Sequence, residues 1–238
     1  AARERGINLI DTAECYGDHL SEQFIGAAIE EDRDKWVLAT KFGHKFHEPF
    51  ERDTIYEPDD VREQLEGSLK ALRTDYVDLY QFHSGPDDQF DRDDLWELLH
   101  RMKEEGKVRR LGVSIGSNDN LHQTESAPKV NAEAIQLIYN RLDRTPEQRV
   151  FDACQRHNLG VLARVPLASG YLSGKYTPED ADKFADDDVR GRWHGAEKAR
   201  ANLEEAEKIK QQEVPDGVNM AQWALGWCLK HPAVTCVI

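Results

Sequence analysis

Side chains able to hold or move a proton stand where the apolar runs of this chain stop. INLID ends on Asp11, and Tyr16 follows five residues later in TAECYG. WVLATK ends on Lys41, and VDLYQF leads directly into His83. An acid, a phenol, an amine and an imidazole at three successive run ends make a proton-delivery set. A phenol with an ordinary pKa near ~10 is a poor donor at neutral pH. A neighbouring ammonium stabilises the phenolate and lowers that value. A carboxylate paired with the ammonium keeps it charged and fixes its position, while a neutral imidazole opposite can donate to a carbonyl oxygen as charge develops there. With a hydride donor alongside, such a set protonates a carbonyl oxygen while its carbon is reduced. Singly, each residue has an ordinary reading: a turn aspartate, a half-buried aromatic, a solvated lysine, a histidine bonded to a loop backbone. The joint pattern across consecutive run ends favours chemistry.

The elements that would position this set alternate along nearly the whole length. Strand-type runs are INLID, WVLATK, VDLYQF, RLGVS, AIQLIY, GVLARV and VTCVI. They are close to continuously apolar, as parallel strands covered on both faces are. Between them lie helical patterns: SEQFIGAAIEE opening at Ser21, DDVREQLEGSLKALR after Pro58, DDLWELLHRMKEEG stopping at Gly106, and PEQRVFDACQRHNLG starting at Pro146. Two late helices, near 196–213 and 218–231, precede the final run, and Trp223 and Trp227 in the second read as core packing. Strand, helix, strand repeated in this way gives a parallel sheet with right-handed crossovers. A doubly wound sheet would carry GxGxxG after an early strand, and the chain has none. The expectation is an α/β fold, a (β/α)8 TIM barrel in one domain over 1–238, with about seven strands present. AARERG reads as the end of a helix stopping at Gly6 and VTCVI as a strand without a following turn. The chain is thus expected to be truncated at both ends, lacking a first strand and helix and a C-terminal loop and helix.

In such a barrel the active site forms at the carboxyl ends of the strands. Beyond Asp11, Lys41 and His83, those ends offer Ser114, then Gln136 and Asn140, then the small-residue loop RVPLASGYLSGKY. Backbone N–H groups of a Ser/Gly loop after a strand can face an anion. The long stretch GHKFHEPFERDTIYEPDD after Lys41 is expected to line the pocket mouth, with His44, Phe46 and Tyr56 as candidates for shaping specificity.

Composition narrows the classes of partner. With 45 acidic against 31 basic residues the net charge is −14, which sets the surface against nucleic acid and anionic membranes. The acids gather in PDDQFDRDD and PEDADKFADDD, which read as solvated loops and helix starts, and a salt-rich cytoplasm would favour such a surface. No apolar run approaches the ~20 residues of a membrane span, and no signal segment is seen. Cys15, Cys154, Cys228 and Cys236 form no CxxC pair and show no metal-ligand spacing, so no metal is expected and they read as buried reduced thiols of a cytoplasmic protein. His83 is the one histidine placed at a strand end, which sets the pattern against a metal-dependent hydrolase.

The motifs GINLIDTAECYG, WVLATKFG, SLKALRTDYVDLYQFH, RRLGVS, AIQLIYNRLD and VPLASGYLSGKY, long and in this order, make the chain resemble the aldo-keto reductases over essentially all its length. The resemblance implies a (β/α)8 barrel that reduces small aldehydes and ketones with a nicotinamide cofactor, NADP(H) ahead of NAD(H). It implies Tyr16 as general acid, Lys41 and Asp11 tuning it, and His83 orienting the carbonyl. It implies Ser114 and Gln136 as contacts of the nicotinamide carboxamide. Arg164 stands where an aromatic commonly stacks on the nicotinamide, and Ile115 where the family often has Asn. Pro166, Leu167, Ser169, Gly170, Leu172, Gly174 and Lys175 match the pyrophosphate-binding segment, with Arg190 and Arg192 in the loop beyond as further candidates. A cofactor-binding regulatory subunit with negligible turnover is the alternative on the same barrel. Neither the oligomeric state nor the substrate is written in these motifs.

Overall fold

Each strand-type run of the sequence contains a strand, and the longer helices, Pro58–Leu72, Asp93–Glu104 and Gly195–Gln212, bury a stripe of mainly apolar side chains. The structure, a computed structural model, describes residues 2–48, 51–185 and 187–238. Its contacts divide into two units, one reaching to Gln136 together with Ala153–Leu159, the other comprising Leu137–Asp152 and Gly160–Ile238.

In the first unit the order is β1 (Leu9–Asp11), α1 (Leu20–Ile29), β2 (Val37–Phe42), β3 (His44–Glu48), β4 (Glu51–Thr54), α2 (Pro58–Leu72) and β5 (Val77–His83). Then follow α3 (Asp87–Phe90), α4 (Asp93–Glu104), β6 (Val108–Ser114), α5 (Leu121–Ser126) and β7 (Ala132–Ile138), of which the first unit includes the residues up to Gln136. Helix α2 shows why the sequence folds locally as it does. Pro58 sits in its first turn, Asp59 and Asp60 oppose the helix dipole, and the chain leaves through Arg73 at φ 54°. Its buried Val61, Leu65, Leu69 and Leu72 recur at helical spacing. Each stabilises the unit by roughly 1.5–3 kcal/mol.

Strands β1, β2, β5, β6 and β7 pair in that order, all parallel. Register decides which side chains share a face. Lys41 pairs with Gln81, His83 with Ser114, and Ser114 with Gln136. Since faces alternate with period two, Lys41, Gln81, His83, Ser114 and Gln136 all project from one face. Gly112 makes room on that face: a Cβ there would meet Leu79 Cδ1 at 3.0 Å and Gln81 Cγ at 3.2 Å.

The stretch after Lys41 is more ordered than the loop expected from sequence. β3 and β4 form an antiparallel hairpin pairing His44 with Thr54 and Phe46 with Arg52. Pro49 and Phe50, part of that expectation, lie outside the described residues. At the far end, the 3₁₀ turn Arg3–Arg5 closes on Gly6 at φ 78°, as the opening residues suggest.

Next in the chain is α6 (Val150–Arg156), and in the second unit come β8 (Gly160–Arg164), α7 (Gly195–Gln212), α8 (Met220–Leu229) and β9 (Cys236–Val237), with β8 and β9 parallel. These bring the parallel strands among the described residues to seven, matching the α/β expectation. The helix expected to begin at Pro146 is divided. A 3₁₀ turn covers Thr145–Gln148, Arg149 leaves helical geometry at φ −151°, and α6 starts at Val150. Trp223 packs against the cluster formed by Tyr171, Leu172, Leu203, Ile209 and Met220. Trp227 is half-buried, its ring 5.2 Å from that of Tyr139. Of the cysteines expected to be buried, Cys15, Cys154 and Cys228 are, whereas Cys236 at the short β9 is half-buried. No helix among the described residues is long and apolar enough to cross a membrane.

Candidate active site

Lys41 lies on the sheet face just defined and is 1 % exposed. A buried ammonium needs compensation, and it has two partners: Nζ donates to Asp11 Oδ2 at 2.5 Å and to the Thr12 carbonyl at 2.7 Å. Asp11 is itself oriented, since its other oxygen, Oδ1, accepts from Gln136 Nε2 at 2.8 Å and from Gln81 Nε2 at 3.1 Å. Gln136 Nε2 also donates to Gln81 Oε1 at 3.1 Å, and Ser114 Oγ reaches Gln136 Oε1 at 3.4 Å. A buried polar network therefore runs from Ser114 to Lys41.

Tyr16 stands above this network on the loop after β1 and is 43 % exposed. Lys41 Nζ lies 5.2 Å from the centre of its ring. The His83 ring approaches edge-on, with centroids 6.2 Å apart and planes at 78°. All four residues singled out from the sequence thus gather at one place. His83 is held from behind: Tyr56, buried at the end of the hairpin, donates its hydroxyl to the His83 carbonyl at 2.7 Å and stacks on Phe82 at 4.7 Å. The Cys15 thiol lies 4.0 Å from His83 Nδ1, and burial pushes its pKa up, against the pull of Arg52.

A second imidazole packs here. The His44 ring is 4.7 Å from that of His83, edge-on, and only 5 % exposed. Burial first, then the charge of Arg52, push its pKa down to about 4, so the ring is neutral at physiological pH. On the other side of Cys15, burial raises the Glu14 carboxyl to about 8, a shift that His19 opposes and Glu22 reinforces. Glu22 is fully buried, accepting from Thr40 Oγ1 at 2.6 Å and lying 2.5 Å from His19 Nδ1.

The residues matched to pyrophosphate binding lie in the second unit. Arg164 ends β8, and Pro166–Lys175 form a tight loop in which Ala168, Ser169, Gly170 and Gly174 have φ of 50°, 55°, 92° and 73°. The loop turns several amides on itself: Ala168 N–H donates to the Val165 carbonyl, and those of Gly170 and Leu172 to the Leu167 carbonyl. Those three amides are occupied by turns rather than turned outward, as the anion-cradle reading of the sequence would have them. Leu172 packs in the local core, Leu167 packs against it, and Lys175 is exposed. Beyond the loop Arg190 is clamped between the rings of Tyr176 and Phe184, 4.3 and 4.1 Å from their centres, and its guanidinium binds Asp188.

Gln81 and Thr12 support the cluster and were missed as site residues, whereas Tyr56, expected to shape the pocket mouth, anchors the His83 backbone. The glutamine inside the apolar run of β5, two before His83, was the available signal. Thr12 acts through its backbone, which no side-chain pattern reveals.

Parallel strands joined by helices, with a lysine–carboxylate pair and an imidazole at their carboxyl ends, place these groups where β/α barrels carry their active sites. The family model described as the aldo/keto reductase family matches residues 1–238. The chain is 32% identical over 241 residues to the aldo-keto reductase YhdN of Bacillus subtilis, covering 98% of this chain and 70% of that protein. It is 30% identical over 236 residues to the Schizosaccharomyces pombe aldo-keto reductase yakc, whose name specifies NADP(+), covering 96% of this chain and 68% of that protein. Among solved structures, the glycerol dehydrogenase AKR11B4 of Gluconobacter oxydans superposes with a TM-score of 0.81 at 32% identity, over 99% of this chain and 72% of that one. This chain belongs to the aldo/keto reductase family, whose members are oxidoreductases acting on small carbonyl compounds.

Proposed function

We propose that the protein reduces aldehydes or ketones to alcohols with a nicotinamide cofactor, Tyr16 serving as general acid. The observation that carries this reading is the setting of Lys41: a buried cation held by Asp11 and the Thr12 carbonyl, beneath an exposed phenol and beside an imidazole. A substrate oxygen between Tyr16 and His83 would receive the Tyr16 proton. Lys41 stabilises the negative charge left on the phenol, and Asp11, fixed by Gln81 and Gln136, keeps the ammonium in place. His83 donates to the same oxygen as charge builds, with its backbone anchored by Tyr56.

A bound nicotinamide would supply the hydride. Ser114 and Gln136 are neighbours in register on the face that carries His83, and with the Gln136 Nε2 hydrogens held by Asp11 and Gln81, the Ser114 hydroxyl oxygen and the second lone pair of Gln136 Oε1 are the acceptors that would meet its carboxamide NH2. NADP(H) is favoured over NAD(H) by the NADP(+) designation of the yeast relative. Lys175, exposed at the end of the Pro166–Lys175 loop, is the cation we assign to the phosphates.

The test supplies NADPH and a reactive aldehyde to the protein and follows the nicotinamide absorbance. Tyr16→Phe should lower kcat by about 10²–10⁴-fold, the range for losing a general acid. An unimpaired Tyr16→Phe enzyme would remove Tyr16 from this role.

A further inference from the structure

Most arginines of this acidic chain are paired with carboxylates, and Arg52 differs from them. Arg33, Arg62, Arg92, Arg141, Arg144 and Arg190 each hold a carboxylate. Arg52 has no carboxylate within ion-pair distance among the described residues; its one polar contact is a long one, Nη1 to Cys15 Sγ at 3.9 Å. That sulfur is in turn 4.0 Å from His83 Nδ1. The guanidinium is therefore separated from the ring that faces Tyr16 by no more than those two distances end to end.

The hairpin explains how it comes there. Arg52 pairs with Phe46 and His44 with Thr54, so by strand parity His44 and Arg52 project from the same face. His44 rests against His83, which brings that face to the strand end. His44 is more than nine-tenths buried, and neither ring nitrogen has a partner at full hydrogen-bond geometry, although the backbones of Asp53 and His83 lie close to the ring. A buried imidazole left so loses free energy unless a ligand completes it. A guanidinium fork without a carboxylate and a buried neutral imidazole on one face of the hairpin are donors that suit a carboxylate or phosphate oxygen.

We propose that Arg52 and His44 form an anion-recognition site beside His83, and that the preferred substrate is a short-chain aldehyde or ketone carrying a carboxylate or phosphate. The proposal rests on the carbonyl-reductase reading and specifies its substrate class. A net charge of −14 repels anions at long range, so selection of such a substrate falls to local groups, and Arg52 is a cation that reaches His83 through the Cys15 sulfur.

Matched substrate pairs test it: 4-oxobutanoate against butanal for a carboxylate, and glyceraldehyde 3-phosphate against glyceraldehyde for a phosphate. The parent should favour the charged member of one pair in kcat/KM, and which pair shows this identifies the anion. Arg52→Gln should lower that charged-to-neutral ratio by about 10- to 100-fold, the worth of a charge-assisted hydrogen bond. Arg52→Lys should retain part of it, and His44→Phe should lower it by a smaller factor. A parent without preference for either anion, or an Arg52→Gln protein that loses both members of a pair in proportion, overturns the proposal; the latter is what a merely structural arginine would give. If no carbonyl compound is reduced, the reductase reading fails by itself. Calorimetric titration with 4-hydroxybutanoate and with inorganic phosphate then decides the anion site. Binding of either that weakens about tenfold or more in Arg52→Gln upholds it, and absent or unchanged binding overturns it.

Discussion

Burial and neighbouring charge pull in opposite directions on Glu14, and burial wins. The side chain is 7 % exposed, and loss of water raises its pKa from 4.5 to about 8. His19 and Lys45 oppose the shift, while Glu22 and Asp18 add to it. In the unfolded chain the carboxyl ionises near its ordinary value, so between 4.5 and about 8 the unfolded state has lost a proton that the native state keeps. Glu14 therefore contributes stability that is complete below the lower value and disappears as pH rises to the upper one. Glu14→Gln, which cannot ionise, should be more stable than the parent at about pH 8 by roughly 1–3 kcal/mol, with the difference shrinking toward about pH 5. Denaturant midpoints of both proteins across that range measure it; a pH-independent difference would mean that Glu14 does not titrate there. Nothing in TAECYG announces this group, because burial of a loop carboxyl depends on what packs over it. Asp11, Lys41 and His83 were legible for the opposite reason: a polar residue closing a continuous apolar run can be placed from sequence alone. The position of Gln136, inside its run, was legible through the resemblance of the surrounding motif. Its hydrogen bond to Asp11 was not, since that depends on register between strands distant in sequence.

At the scale of elements, the hairpin of β3 and β4 is the part that periodicity did not reveal. All of β4 is exposed and β3 is mostly so, and two strands facing water carry too little apolar alternation to be read from sequence. The strands of the sheets were legible because both their faces are covered, which makes the runs continuously apolar. The helix expected from Pro146 misled because a proline start fits a 3₁₀ turn equally well. The hairpin depends on its entry. Gly43 has φ 110°, and a Cβ there would fall 2.1 Å from Tyr56 Cε1. Its N–H donates to Gln64 Oε1 at 2.9 Å and its carbonyl accepts from Ile55 N–H at 2.9 Å, so the backbone has little freedom to yield. Gly43→Ala should cost about 2–4 kcal/mol, combining a left-handed conformation with overpacking. Because the displaced Tyr56 would release the His83 carbonyl, reductase activity should fall in the fraction that remains folded. Tyr56→Phe isolates the second effect: it keeps the ring, removes one hydrogen bond worth about 1 kcal/mol, and should lower turnover without a comparable loss of fold. A Gly43→Ala protein with the parent's denaturation midpoint would show that the entry accommodates a side chain.

For the whole molecule the governing quantity is the net charge of −14, fully legible in the sequence. Two electrostatic contributions respond to salt in opposite senses. Ion pairs between exposed side chains are weakened by screening, and self-repulsion of the excess acids is relieved by it. Distance separates them. The pairs are contacts, such as Arg62 with Glu105 at 2.9 Å and Arg144 with Glu147 at 2.6 Å, and lie within the screening length of ~3 Å even at 1 M salt. The excess charges act over longer separations, where raising salt from about 0.1 M to about 1 M contracts the screening length from ~10 Å to ~3 Å and removes most of the repulsion. Each surface pair is also worth only about 0–1 kcal/mol at the outset. Repulsion relieved should therefore outweigh attraction lost, and the urea midpoint at about pH 7 should rise as KCl is increased over that range. A midpoint that falls would mean that the contact pairs carry more of the stability than the uncompensated acids remove.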